Sequence, residues 1–340
     1  MTAHLPSDHP TVKPKKIGVL LLNLGTPDAT DYWSVRRYLK EFLSDPRVIE
    51  TPKWIWWPIL NLAILSVRPQ KTGANYARIW DKERNESPLR VITRGQAEKL
   101  QTAMASDGVI VEYGMRYGNP STKSAIEKLH AQGCDKILLF PLYPQYSATT
   151  TATANDQAFR ALADLRWQPS VRTVPAYFED DIYVEMLAKS IKQGVEQLDF
   201  EPDVVITSYH GMPKSYLMKG DPYHCQCHKT TRLVREKLGW SKDKLMLTFQ
   251  SRFGPTEWLQ PYTDETLKAL PGKGIKKVAI LAPAFSADCI ETLEEIAITG
   301  EEEFMHAGGE RYAYIQCLND TPDGMTLIET VVRRELSGWL

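Results

Sequence analysis

His210 closes an apolar run, DVVITSY (residues 203–209), and is followed at once by Gly211 and then Pro213. A histidine at the carboxyl end of a strand, beside a glycine, is well placed to act as a base, because imidazole changes protonation near neutral pH. Further on, DCIETLEEI sets Asp288, Glu291 and Glu295 at i, i+3 and i+7, while Ile290, Leu293 and Ala297 take a different, apolar face. On an arbitrary helix such a stripe is a solvated face. Where a sheet ends, the same three carboxylates can relay protons or hold a hard to borderline divalent metal. A third cluster, His224-Cys225-Gln226-Cys227-His228, has ligating residue types. Residues so close together cannot readily supply four tetrahedral ligands to one ion, so a zinc or iron-sulfur site there needs ligands from elsewhere. Neither G-x-G-x-x-G nor G-x-x-x-x-G-K-[ST] occurs, which removes the main support for a dinucleotide or P-loop nucleotide site.

The elements that must position these groups are short apolar runs alternating with helix-like segments, the pattern of βαβ units and a parallel sheet covered on both faces. The clearest strands are IGVLLLNL, KILLFPLY, DVVITSYH and KVAILAPAF. Residues 115–146 and 251–286 echo one another: Arg, aromatic, Gly, then Pro, an amphipathic helix, a glycine turn, a strand and a proline-broken exit. NLGTP pairs loosely with SYHGMP in the same way. The expected fold is α/β with two similar Rossmann-like halves facing a cleft, ligand bound beyond the carboxyl ends of the strands. The expected boundaries are a flexible tail at 1–15, one domain at 16–165 and a second at 166–340, with the last helix able to pack back on the first domain.

With 340 residues and 43% hydrophobic content the chain can fill two ordinary domains. Its 41 basic and 42 acidic residues, with no basic stripe interleaved with aromatics, argue against nucleic acid as a partner. Five cysteines thinly spread are no disulfide framework, and the polar amino terminus lacks the pattern of a secretory signal. A cytoplasmic protein is expected. One stretch breaks the bland surface, WIWWPILNLAILSVRP (residues 54–69). Pro58, Asn61 and Arg68 make it too short and too interrupted to span a bilayer. Three neighbouring tryptophans fit an apolar-to-polar boundary better than a core.

Seven segments in order, NLGTP (23–27), YGMRYGNP (113–120), PLYPQYS (141–147), SYHGMP (208–213), GDPYHCQC, TFQSRFGPTEWLQPYTD (248–264) and APAFSADCIETLEEI, resemble the ferrochelatases. The resemblance implies insertion of Fe(II) into protoporphyrin IX in a cleft between two Rossmann-like domains, each with a four-stranded parallel sheet. It makes His210 the base and Glu291 its catalytic counterpart, with Asp288 and Glu295 joining them in metal handling. It places Tyr76, Arg116 and Trp258 against the porphyrin, Arg68 at the lip, and Trp54 and Trp57 in an apolar lip over residues 52–69. A lipid-partitioning substrate and an apolar lip imply peripheral contact with the inner face of the cell membrane. Ala148 stands where animal members have cysteine, and a cysteine-bearing carboxyl extension is lacking, so no animal-type [2Fe-2S] cluster and no resident cofactor are expected. Some bacterial members bind a cluster through other cysteines, which leaves His224-Cys225-Gln226-Cys227-His228 open to that reading. Cys289 stands where animal members have histidine. The competing readings are a chelatase for another tetrapyrrole or metal, and a porphyrin carrier that would need neither the base nor the acids.

Overall fold

The computed structural model describes residues 8, 9 and 15–340; most of the expected tail at 1–15 lies outside the described residues. Two four-stranded, all-parallel sheets form the framework. The first has the order β2-β1-β3-β4, built from β1 (Lys16–Thr26), β2 (Val109–Gly118), β3 (Cys134–Pro141) and β4 (Ser170–Thr173). The second repeats it as β6-β5-β7-β8, from β5 (Val204–His210), β6 (Leu245–Gln250), β7 (Lys277–Leu281) and β8 (Arg311–Tyr314).

The strands read as continuous apolar runs because both faces of each sheet are covered. Along β1, Val19 and Leu21 point into a core shared with the second sheet, while Leu20 and Leu22 pack outward on Ile126, Leu129 and Ala158. Along β5 and β7, Val205, Ala279 and Leu281 enter the shared core, and Val204, Ile206, Val278 and Ile280 pack on Leu267, Ile296 and Phe304. Each fully buried aliphatic side chain of this kind contributes about 1.5–3 kcal/mol. The shared core is completed by the helices Pro88–Ala103, Asp181–Glu196 and Pro322–Glu335.

The repeat is structural down to single hydrogen bonds. Met115 N–H donates to Pro120 O at 2.7 Å after β2, and Phe249 N–H donates to Pro261 O at 2.8 Å at the end of β6. Gly25, the penultimate residue of β1, has φ +107, and a Cβ there would lie 1.8 Å from Tyr117 O. Gly211 follows β5 with the same crowding, its Cβ position 2.6 Å from Gln250 O. These two glycines let the loops after the central strands turn tightly over their neighbours, so NLGTP and SYHGMP correspond.

The C-terminal helix Pro322–Glu335 packs across the first unit's helix Pro88–Ala103. Gln96 Nε2 donates to Asn319 O at 3.0 Å, Lys99 pairs with Asp320, and Arg333 pairs with Asp107.

Candidate active site

The cleft chemistry gathers where the carboxyl ends of both sheets meet. His210 is the last residue of β5, half-buried, with Phe285 edge-on at 6.4 Å between ring centres. Burial lowers its pKa below the usual 6.5, partly offset by the negative charge of Glu291, so the imidazole is neutral at physiological pH. The loop after it is pinned by Leu259 N–H to Met212 O and Lys214 N–H to Glu257 O, both 2.9 Å. That bridge lays Trp258 against Gly211, where its Cε3 lies 3.2 Å from the Cβ position. The Trp258 Nε1–H is buried without a hydrogen-bond partner among the described residues.

Glu291 opens a ten-residue π-helix, Glu291–Gly300, not the regular α-helix that the i, i+3, i+7 spacing assumes. Hydrogen bonds of i→i+5 type widen the turn and change which residues share a face. The three-acid stripe is therefore replaced by three different environments. Asp288 precedes the helix and is fully engaged: it accepts from Thr292 Oγ1 at 2.9 Å, Tyr314 OH at 2.6 Å and Asn319 Nδ2 at 2.6 Å. Its carboxylate ties the first turn of the helix, through Thr292, to β8 and the segment after it. Glu295 accepts from Ser251 N–H and Oγ, both 2.6 Å. Burial raises its pKa to about 7, with the Glu291 charge adding and the Ser251 hydrogen bonds opposing. The Glu291 carboxylate accepts no backbone or hydroxyl hydrogen bond among the described residues; its carbonyl accepts from Gln250 Nε2 at 2.8 Å, which fixes the start of the helix.

The charge of Glu291 reaches Tyr38, Tyr76 and Tyr143 of the first unit and His210, Cys289 and Glu295 of the second. It is the point where the two halves face each other. Tyr76 is buried edge-on to Trp80, and burial and Glu291 raise its pKa far above 10. Cys289 is buried and its thiol pushed up by burial and by Glu291, so it remains protonated.

Arg116, expected against substrate, is engaged with residues of the first unit. Its guanidinium is buried against Asp45, donates through Nε to Thr153 Oγ1 at 2.7 Å and lies 4.2 Å from the Tyr117 ring centre. Asp45 also accepts from Tyr117 OH at 2.8 Å and from Thr153. All its reach is spent inside the first unit. Arg68 is the contrasting cation: half-buried, 4.8 Å over the Phe253 ring, with burial lowering its pKa and no acid offsetting that among the described residues.

The lip is a nearly unbroken helical segment, Lys53–Pro58, the π-turn Ile59–Ile64 and Leu65–Ile79. Leu60 and Leu65 are fully buried beneath it, and Trp56 anchors it through Nε1–H to Leu43 O at 2.7 Å. The other face is open: Trp54 is 79% exposed, Trp57 50%, Leu62 78% and Val67 75%. Among the described residues no helix is long and apolar enough to cross a membrane. Arg78, farther along the same segment, bridges to Glu294 at 2.8 Å and Glu302 at 2.7 Å, tying the lip to the π-helix and its continuation. That clamp, Asp45 and Gln250 were not anticipated from sequence; Gln250, within TFQSRFG, and Glu294, within DCIETLEEI, lay in motifs that could have flagged them.

Two parallel-sheet units of this topology recur in solved chelatase structures. SirB from Bacillus subtilis with Fe3+ superimposes with a TM-score of 0.55 at 12% identity, over 95% of this chain and 97% of that one. CbiX, described as the terminal enzyme for siroheme biosynthesis in denitrifying bacteria, gives 0.51 at 13% identity, over 93% and 98%. At such identities the likeness concerns the fold alone. The chain belongs to the ferrochelatase family, whose model matches residues 16–336. Curated ferrochelatases from Allorhizobium ampelinum and Mesorhizobium japonicum are 60% identical over 99% of this chain and 98% of the relative, and 63% identical over 96% and 92%. Its enzymes are lyases of haem biosynthesis that insert metal into a porphyrin.

Proposed function

We propose that the chain inserts Fe(II) into protoporphyrin IX, with His210 and Glu291 as its catalytic pair. The carrying observation is their juxtaposition: an imidazole held neutral by burial, within the field of a carboxylate that also reaches the tyrosines of the opposite unit. Metallation must remove two pyrrole N–H protons, expose the nitrogen lone pairs and strip water from the iron. A flat macrocycle hides those lone pairs, so a cleft that grips it bent brings it toward the transition state. His210 accepts a pyrrole proton. Glu291 meets iron or takes the second proton, and Glu295, with its pKa near 7, takes up or passes on that proton. Asp288 holds the π-helix in position.

Tyr76 and Trp258 form polar-edged walls of the macrocycle site, the unpartnered Trp258 N–H being free for a substrate oxygen. Arg68, the cation without an acid, receives a propionate; Arg116 supports the wall through Asp45. Trp54 and Trp57 form the outer mouth with Leu62 and Val67, an apolar surface suited to peripheral membrane contact. No [2Fe-2S] cluster is part of this reading, and iron enters as substrate.

Anaerobic metallation with Fe(II), followed by visible absorption on protoporphyrin IX and coproporphyrin III in parallel, tests it. Faster turnover of protoporphyrin is the expected result. A preference for the tetracarboxylate would move the substrate assignment, and tight binding with no metallation of either would make the chain a carrier.

A further inference from the structure

Away from the cleft, the helix Tyr223–Leu238 carries His224 and His228 one turn apart. Their ring centres are 4.4 Å apart with planes at 51°. Both rest on Phe249: His224 stacks at 5.8 Å and 17°, and His228 lies at 6.2 Å. Phe249 is itself buried in β6 and fixed by its N–H to Pro261 O, so the two imidazoles are held against a rigid platform. Neither side chain makes a hydrogen bond among the described residues, although His224 is half-buried. Their ring nitrogens keep access to solvent and so are open to a cation from solution.

We propose that His224 and His228 form a two-imidazole chelate for a borderline divalent cation of the Zn(II), Ni(II) or Cu(II) class, distinct from the cleft. Spacing of i, i+4 puts two histidines on one helix face, as metal-binding helices require. With a metal-nitrogen bond of about 2.0–2.1 Å, each ring centre lies roughly 3.2 Å from the ion, so two rings bound at roughly 90–109° sit about 4.5–5.2 Å apart. The observed separation of 4.4 Å brings the rings close to that range, and side-chain torsions would turn their nitrogens onto a shared ion. Imidazole suits these metals, and packing on Phe249 removes part of the rotamer entropy that binding would otherwise cost. Two protein ligands leave the remaining positions to water, which makes the site exchangeable rather than a structural zinc centre. The earlier difficulty with the HCQCH cluster, too few tetrahedral ligands, disappears once four protein ligands are not demanded. Cys227 is buried under the helix and Cys225 points to solvent, so the cysteines are not needed.

Equilibrium dialysis of the full chain against Zn(II) alone, without porphyrin, decides the matter with H224Q, H228Q and, as a control for the cleft, H210A. The wild type and H210A should hold one equivalent that H224Q and H228Q bind at least about tenfold more weakly, since each loses the intramolecular second ligand. Zn(II) should also raise the melting temperature of the wild type and not of either glutamine variant. H228Q carries the test alone if H224Q fails to fold, because His228 is exposed. Unchanged binding in H228Q, or loss of the same equivalent in H210A, overturns the proposal and leaves the pair as aromatic packing on Phe249. Porphyrin metallation undiminished in the glutamine variants separates this result from any failure of the catalytic assignment.

Discussion

At the scale of single residues, function rests on protonation states set by burial. His210→Ala should lower metallation by about 10²–10⁴ while porphyrin binding persists, the usual loss when a general base is removed. Burial holds the His210 pKa below 6.5, so the acid limb that belongs to the imidazole should lie below 6.5, while the limb near 7 that Glu295 contributes should disappear in Glu295→Gln. A limb near 7 that persists in kcat/KM of Glu295→Gln would contradict this. Glu295 works in the opposite sense. Its pKa rises from 4.5 to about 7 on folding, so the folded chain binds the proton more tightly. That contribution is complete below pH 4.5 and is lost as pH rises through 7, on the order of 3 kcal/mol at most. Urea midpoints of wild type and Glu295→Gln across pH 5–8 should therefore converge at high pH less well than at low pH, the wild type losing stability that the variant keeps. Parallel curves would remove the shift. His210 and Glu291 were singled out in sequence by strand end and motif, and Tyr76 only through the family resemblance. The Asp45 partner of Arg116 and the Asn319 and Tyr314 partners of Asp288 were not, since each lies 26 to 71 residues away.

Elements decide which of these residues can act together. Counting i, i+3, i+7 on a 3.6-residue helix joined Asp288, Glu291 and Glu295. Asp288 lies before the π-helix and is turned to Thr292, Tyr314 and Asn319, while Glu291 and Glu295 stay within electrostatic reach of each other; local sequence does not announce i→i+5 bonding. The lip divides by the same logic of faces. Trp56, Leu60 and Leu65 hold it down, whereas Trp54, Trp57, Leu62 and Val67 contribute almost nothing to the fold. Replacing Trp54 and Trp57 together by alanine should change unfolding free energy by no more than about 0.5 kcal/mol, as for ordinary surface sites. The same variant should sediment less with lipid vesicles and show a raised porphyrin KM with little change in kcat. Leu60→Ala is the converse, costing about 2–5 kcal/mol from the cavity left beneath the lip. Equal vesicle binding by wild type and the double variant would detach the lip from the membrane. Sequence showed that the tryptophans were unusual; only packing shows that the middle one of the three, Trp56, is an anchor.

For the molecule as a whole, the duplicated topology was readable because the two echoes at 115–146 and 251–286 are consecutive elements of each unit, β2 to β3 and β6 to β7. How the halves are joined was not readable, since it depends on contacts between segments more than two hundred residues apart. Those contacts make the chain less divisible than two sheets would imply. Val19, Leu138, Val205 and Leu281 of both sheets share one core with Leu100, Ile328 and Val331, and the helix Pro322–Glu335 closes it against Pro88–Ala103. A core common to both units couples their unfolding, because neither buries its inner face without the other. Ile328→Ala, at a fully packed position, should therefore cost about 2–5 kcal/mol and lower hydrogen-exchange protection of β1 and β5 by the same factor. Thermal unfolding should remain one transition in wild type and variant. If the variant instead lost protection in β5 alone, or calorimetry resolved two transitions, the units would be separate folding bodies, and the cleft geometry would rest on docking of the halves rather than on a common core.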